Sequence, residues 1–540
     1  MSKPPGTASI GRASAFMAAG TIVSRVLGFA KAVLLAQVIG QFSMASSAFA
    51  TANQLPNTLY TIIAGGVISA ILVPQIVKAF IRPDGGAAYI NKLLTLTLTV
   101  LAIATVAAVA ATPLLTQIYA NQAGPETIQL AIMLAYWCIP QLFFYGLYTV
   151  LGEVLNAKKV FGPFTWAPVV NNVIAMIGLA VFAILYSPNA EWTLADWTPD
   201  KIAVLGGTTT LGVVGQALVL LLFWRRIGLR FRPDFQWRGM GFRATGKLAG
   251  WSFAMICVTT LAGVVQSNVA LSVGDGTGFA SVAALGNGWL VFMLPHSVIT
   301  LSLATAYFTR MSEHARENRL EDLKNDVSTV IRQVALLIVL ATAYLMVISL
   351  PFGSLFTKEG EDEFAMAAII FVYLIGLVPF CVLFIFQRAF YALGDTRTPF
   401  FFTLWQTIAF VLLTLASSAL HPSLRAVGVA AAMTASIWLQ TVIAGIMLRR
   451  RLHGLDLSRI VQTLIIFTIA IIPAMFLGGI VVVLCGSLTD GFAVSGALGA
   501  IITMALAALV VIPAYLVGLW MMRTPELGQV IRLVRSRIGR

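Results

Sequence analysis

Apolar windows of roughly twenty residues recur from one end of this chain to the other, each long enough to cross a hydrocarbon core about 30 Å thick. Read as helices, they fall at 14–38, 47–80, 92–120, 127–154, 163–186, 202–225, 245–272, 279–308, 329–356, 363–393, 398–420, 426–447, 460–485 and 493–522. Composition agrees: 59% of the 540 residues are hydrophobic and 10% charged, with a mean hydropathy of +0.90. A soluble globular chain carries about a quarter charged residues. No polar stretch between the windows is long enough for a soluble domain. The expected fold class is an all-α integral membrane protein of about fourteen transmembrane helices.

Lysine and arginine set the orientation, because short cytoplasmic loops collect them. Of the 35 basic residues, Lys201, Lys358 and Arg425 fall in the loops on one side, whereas Arg25 and Lys31 fall within the first span. All the others fall on the opposite side or in the two termini. Both ends are therefore expected in the cytoplasm, with the acidic run Lys358 to Glu363 outside. The net charge of +14 is read as topology signal and anionic-lipid contact. Nucleic acid is not expected, because no nucleic-acid-binding motif surrounds the basic residues. Cys138, Cys257, Cys381 and Cys485 lie in or beside apolar spans without CxxC or histidine pairing, which reads as structural thiols rather than a disulfide or zinc site. The polar start, without a clean small-residue cleavage site after its apolar span, reads as a retained first helix.

Two inner segments read as surface or extension helices. Residues 226–247 mix Arg with Phe and Trp. Residues 310–328 alternate acids and bases at helical spacing, more in keeping with a solvated helix extension. A repeat is also visible. EVLNAKKVFGPF (153–164) is echoed 236 residues later by AFYALGDTRTPF (389–400), each a polar turn followed by Pro-Phe. Leu55-Pro56-Asn57 is echoed by Leu294-Pro295-His296. Proline after a polar turn commonly starts a helix, but two echoes in one order point to two six-helix halves plus two further helices, a common transporter plan.

Arg25 and Lys31 are the two cations well inside a span. A mid-depth cation costs roughly 2.5–3.5 kcal/mol, so Arg25 is read as facing a water-filled cavity or an anionic ligand. Lys31 lies six residues on, about 120° round and about 9 Å along a helix. It reads equally as a cavity residue or as snorkelling to the outer interface. Glu153 is the one candidate acid within a span; it is expected to pair with Lys158 or Lys159, or else to face a cavity mouth. Asp395 and Arg397 are expected to cap helices or pair with each other, and His296 to be a hydrogen-bonded structural residue. Enzyme motifs, phosphate-cradling glycine loops and carboxylate clusters for magnesium are missing, so no catalytic residue, metal site or cofactor is expected. The Gly65-Gly66 pair reads as close helix packing.

The string Ser24-Arg25-Val26-Leu27-Gly28-Phe29-Ala30-Lys31 resembles the opening of the MurJ/MviN proteins, a branch of the multidrug/oligosaccharidyl-lipid/polysaccharide exporter superfamily. Leu55-Pro56-Asn57, then Ile62 to Val67 and Val73-Pro74, follow that family's second helix. Leu155-Asn156-Ala157-Lys158, Phe161-Gly162 and Ala167-Pro168-Val169-Val170-Asn171-Asn172 resemble its LNAxxxFxxPxxAPxxxN signature, with a second-half counterpart at Ala392 to Pro399. With the span count, the resemblance covers nearly the whole chain.

It implies a V-shaped bundle of two six-helix lobes around a cationic cavity, with the last two helices forming a hydrophobic groove. On that plan, residues 1–13 precede lobes at 14–225 and 245–447, joined by a basic linker at 226–244. Groove helices at 460–522 and a basic tail at 523–540 follow. The implied activity is export, by alternating access, of the cell-wall precursor lipid II, an undecaprenyl-diphosphate carrying a disaccharide-pentapeptide. The implied place is a bacterial inner membrane, possible partners being anionic lipids and cell-wall synthesis proteins. Arg25 and Lys31 are the implied diphosphate ligands; Glu153, Asn156, Lys158, Asn172, Arg388 and Arg397 are candidates for the cavity mouth or gate. The chain departs from the family pattern where Lys31 replaces an arginine, and Ala32 and Ser47 replace acids. Further departures are Tyr60 for an arginine, Gly65 for a glutamate and Leu290 near the place of another arginine. Such a charge-poor cavity leaves open an exporter of another polyprenyl-linked glycan or of drugs. A non-transporting scaffold for cell-wall enzymes is a third reading, with little loop surface to support it.

Overall fold

Inside a bilayer every backbone N–H and C=O must find its partner within the protein, and for apolar runs this long the continuous helix does so residue by residue. The computed structural model describes residues 7–64, 86–158, 160–188, 192–224, 231–236, 243–273, 279, 282–358, 362–488 and 491–528. Among these there is no strand. The spanning helices are α1 (Thr7–Ile39), α2 (Met44–Ile63), α3 (Ala87–Ala110, continued by Thr112–Ala120), α4 (Pro125–Ala157) and α5 (Gly162–Tyr186). They continue with α6 (Pro199–Trp224), α7 (Arg243–Leu271), α8 (Val282–Arg316), α9 (Leu320–Val347) and α10 (Glu363–Ala392). The last four are α11 (Arg397–Ser417), α12 (Pro422–Arg451), α13 (Leu457–Leu484) and α14 (Ala497–Met521).

Thirteen of these are long and apolar enough to cross a membrane. The other, α2, occupies the start of the expected second span, whose residues 65–80 lie outside the described part. Each of the thirteen falls on one expected span, as 363–393 does with Glu363–Ala392.

Contacts divide the chain into two units, Met1–Ala283 and Ala284–Arg540. In the first, α5 lies along α6 and α1 along α5. Two apolar clusters hold this unit. One joins the Val38 end of α1 to α2, the first half of α4 and Trp197; the other joins Ile90 and Leu93 of α3 to Val150–Leu155 of α4 and to Leu220 and Trp224 of α6. Lipid tails are as apolar as leucine, so helices here associate by close packing over small residues rather than by a hydrophobic drive. Gly178 is such a place: a Cβ there would fall 2.3 Å from the Thr208 side chain of α6. The loop between α5 and α6 is ordered by a capping box, in which the Thr193 N–H and hydroxyl both donate to Asp196 at 2.8 Å. Those bonds hold the Asp196 carboxyl below its ordinary range. Lys201 lies over the Trp192 ring at 4.0 Å.

In the second unit α13 and α14 pair with each other and close on α9 around Phe467, Ala470, Val511 and Tyr515. Tyr515 donates to the Leu336 carbonyl at 3.1 Å, and Tyr344 to that of Met504 at 2.9 Å. The 310–328 segment continues α8 to Arg316, turns, and begins α9 at Leu320, as a helix extension should. Its outer faces carry exposed pairs such as Arg319–Glu317 at 2.6 Å. Asp326, however, is buried, and receives Arg310 at 2.8 Å and His314 at 3.4 Å. Of the 226–247 segment, residues 231–236 are described and are not helical, while 243–247 form the first turns of α7. Residues 231–236 dock on α3, the Asp234 N–H donating to Thr95 Oγ1 at 3.0 Å.

Both sequence echoes fall on the same structural event in each unit. Pro56 lies within α2, and Pro295 within α8 is followed by a π-helical turn at His296–Thr300. A proline cannot donate to the preceding turn, and the π register absorbs that break. Likewise α4 and α10 each end in a short break, after which α5 and α11 restart with Pro163 and Pro399 in their first turns.

Candidate functional site

The expected site is built on α1, and α5 fixes where α1 lies. Gly20, Ser24 and Gly28 recur every four residues, which places them on one stripe of the helix. A Cβ at Gly20 would fall 2.7 Å from Trp166 Nε1, so only glycine lets the indole lie across the helix. That indole donates to the Phe16 carbonyl at 3.2 Å and stacks on the Phe16 ring at 5.2 Å. Further along, the buried Asn172 donates through Nδ2 to the Ser24 carbonyl at 2.9 Å, beside Gly28. The residue preceding Arg25 is thereby fastened to α5.

Helix geometry then separates the two cations. At about 100° per residue, Lys31 returns to within about 20° of Ser24, on the stripe turned to α5, whereas Arg25 points about 100° away from it. Their burial follows: Lys31 is half-buried and Arg25 exposed. Neither forms a salt bridge among the described residues. Two cations without a salt bridge among the described residues are an unusual expense for a membrane helix.

Glu153 sits on α4, half-buried, one turn beyond Thr149. Thr149 shares a 2.5 Å hydrogen bond with the Tyr60 hydroxyl, and the Glu153 carboxylate lies close enough for its charge to act on Tyr60 and Tyr148. It forms no salt bridge among the described residues; Lys158 ends α4 at its C-cap, and Lys159 lies outside the described part. Asn156 is half-buried on the same helix. The Tyr60 hydroxyl beside this carboxylate is bonded to Thr149.

The second-unit candidates are engaged locally. Arg388 lies over the rings of Phe384 at 4.8 Å and Phe308 at 5.3 Å, a cation–π clamp between α10 and α8. Arg397, exposed at the start of α11, lies over Phe401 at 5.6 Å. Asp395 caps that helix, accepting from the N–H groups of Arg397 and Thr398 at 3.0 and 2.9 Å and from the Thr398 hydroxyl at 2.6 Å. His296 is buried against Phe380 and Phe384, with Cys381 Sγ 3.5 Å from its Nδ1. The four cysteines are unpaired.

Sequence reasoning did not single out the amide network inside the first unit. Asn171 donates to Gln216 at 3.0 Å, Gln141 to Thr210 at 3.0 Å, and Tyr145 to Gln141 at 3.1 Å. Its signal was available: an amide in an apolar span needs a partner on a neighbouring helix.

Helices this long and apolar, in this number, define a multi-pass membrane protein. The fold is similar to that of "Lipid II flippase MurJ, inward closed conformation", with a TM-score of 0.69 at 17% identity, covering 94% of this chain and 98% of that one. It is also similar to that of a multidrug resistance MATE family transporter in its inward-facing conformation, with a TM-score of 0.61 at 17% identity over 80% of this chain and 94% of that one. The family model described as "Lipid II flippase MurJ" matches residues 35–522. Relatives named "Probable lipid II flippase MurJ" include one from Rhizobium tropici, 24% identical and covering 92% of each chain. Another, from Rickettsia prowazekii (strain Madrid E), is 24% identical over 79% of this chain and 81% of its own. The chain belongs to the MurJ family. The family match begins just beyond Lys31, so the α1 cations stand on their own geometry.

Proposed function

We propose that this chain moves lipid II from the cytoplasmic to the outer leaflet of a bacterial inner membrane by alternating access, without catalysing a reaction. The observation that carries this reading is the pair of cations without a salt bridge among the described residues, Arg25 and Lys31, on a helix that a non-transporting protein would keep apolar. A diphosphate supplies the charge they lack, and the isoprenoid tail can remain in lipid beside α13 and α14. Arg25 and Lys31 bind the diphosphate. Glu153, Asn156, Lys158, Asn172, Arg388 and Arg397 serve the cavity mouth or gate, Asn172 by holding α1 at Ser24. Lobes at 14–225 and 245–447, followed by the groove helices 460–522, carry the motion, and anionic lipids contact the basic inner loops. Depleting the protein should accumulate lipid II on the cytoplasmic face; an unchanged leaflet distribution would remove the reading.

Orientation follows the basic loops, both termini lying inside. A membrane-impermeant maleimide added from outside should label Glu361→Cys, at a position outside the described residues, and leave Glu317→Cys in the exposed α8–α9 turn unlabelled. The opposite pattern inverts the topology.

Energy coupling follows from charge. Neither α7 nor α11 contains an Asp or Glu, whereas carboxylate-based ion coupling needs an acid in a low-dielectric site. Lipid II is an anion leaving a negative compartment, so each net charge moved outward gains roughly 2.3 kcal/mol per 100 mV. Flipping in proteoliposomes at clamped pH should persist when choline replaces sodium and fall when the potential is collapsed. A strong loss of rate without sodium would reject this coupling.

A further inference from the structure

By sequence α7 opens the second half of the repeat, yet its contacts place it in the first unit, against α2 and Thr112–Ala120. From Gly250 to Leu261 no residue of α7 is buried; beyond that point Ala262, Ser267, Val269, Ala270 and Leu271 are. A Cβ at Gly250 or Gly263 would meet nothing within 4 Å. The fully buried residues of α7 therefore gather at its Leu271 end, while residues 250–261 are exposed or half-buried.

One side chain makes the polar part of that attachment. Asn268 donates through Nδ2 to the Ile118 carbonyl at 2.8 Å and to its own Val264 carbonyl at 3.0 Å. Its Oδ1 accepts from the Gln122 N–H at 3.2 Å. Ile118 lies in the last turn of Thr112–Ala120, where helix carbonyls have no partner of their own, and Gln122 in the turn that follows. A single amide thus satisfies both strands of one turn, a carbonyl leaving the helix and an N–H entering the loop. Among side chains, an amide carries the two N–H donations and the acceptor that these three bonds use.

We propose that Asn268 is a releasable latch that closes the end of the transport path at the α3–α4 turn, the outer end in the orientation argued above. The inference rests on the alternating-access reading, because a transporter must unseal that end once per cycle. Hydrogen bonds suit the task better than apolar packing. They fix one register when made, and water entering an opened seam replaces them at small net cost, about 1 kcal/mol each. Releasing Asn268 removes the polar part of the attachment at the Leu271 end of α7.

The test uses full-length protein carrying Cys257→Ser and Cys485→Ser, with spin labels at Asn121→Cys and Ser272→Cys, one on each side of the latch. Asn268→Ala should shift the ratio of long to short label distances about tenfold toward long, with an unchanged unfolding midpoint. Thr259→Ala, whose hydroxyl bonds only within α7, should leave the distribution as it was. Bridging the labelled positions with a short bismaleimide should stop lipid II flipping in proteoliposomes that flip when unbridged. An unchanged distribution in Asn268→Ala, or normal flipping in bridged protein, overturns the latch. The distance measurement needs no substrate. Absence of lipid II flipping in unbridged protein, with the Asn268→Ala shift intact, would overturn the substrate reading and leave the latch standing.

Discussion

Arg25→Ala is expected to abolish complementation of a flippase-deficient strain while protein level stays normal. The guanidinium stands exposed on α1 without a salt bridge among the described residues, so the loss falls on the anion it awaits. Hydrogen bonds to charged groups contribute roughly 1.5–3 kcal/mol each. Two such bonds from a bidentate guanidinium amount to at least about two orders of magnitude in transport rate. Arg25→Lys keeps the charge but not the fork, and should retain partial activity, about a tenth. Stability should move the other way. A cation at mid-depth costs roughly 2.5–3.5 kcal/mol on insertion scales, so Arg25→Ala protein should unfold no earlier than the parent. Normal growth of the Arg25→Ala strain at normal expression would show that Arg25 does not bind the substrate. Lost function with lost protein would show instead that Arg25 holds the bundle together.

What the sequence disclosed, and what it hid, divides by the range of the physics involved. The α10 window was legible because its signal is local: its eighteen most apolar residues have a mean hydropathy of 2.9. The same holds for Asp395, whose capping partners lie two and three residues on. Asn172 was legible as a special amide but not in its role, because the Ser24 carbonyl it holds lies 148 residues away. Glu153 is half legible in the same way. Lysines five and six residues on suggested a pair; the carboxylate makes no salt bridge with Lys158, its charge acts on Tyr60 across on α2, and Lys159 lies outside the described residues. The separation of Arg25 from Lys31 needed one further fact, the stripe by which α1 meets α5. Once Gly20 and Gly28 are fixed under Trp166 and Asn172, the angles of both cations follow from helix geometry.

The largest stability effect is expected at a pair the spacing of charges did not reveal. Arg332, counted by sequence among the basic inner loops, lies three turns inside α9, and Glu526 belongs to a segment that reads as the start of a polar tail. Pro525 opens a short helical turn there, which brings Glu526 and Leu527 back against α9 beside α14. Arg332 Nη1 donates to Glu526 Oε1, and their side chains are 10% and 4% exposed. Such a pair gains little over a well-packed apolar pair, because desolvation offsets most of the attraction; removing one member, however, strands the other's charge. Arg332→Ala should therefore lose roughly 3–5 kcal/mol, whereas Arg332→Met combined with Glu526→Met should recover most of that loss. Unfolding in mixed micelles, compared across both single variants and the double, gives the coupling directly. Single and double variants equally unstable would mean that the methionines fail to pack and that the segment's position rests on Leu527. A near-native Arg332→Ala would mean that water reaches Glu526, and the end of α14 would then be free to leave α9 during transport rather than anchored to it.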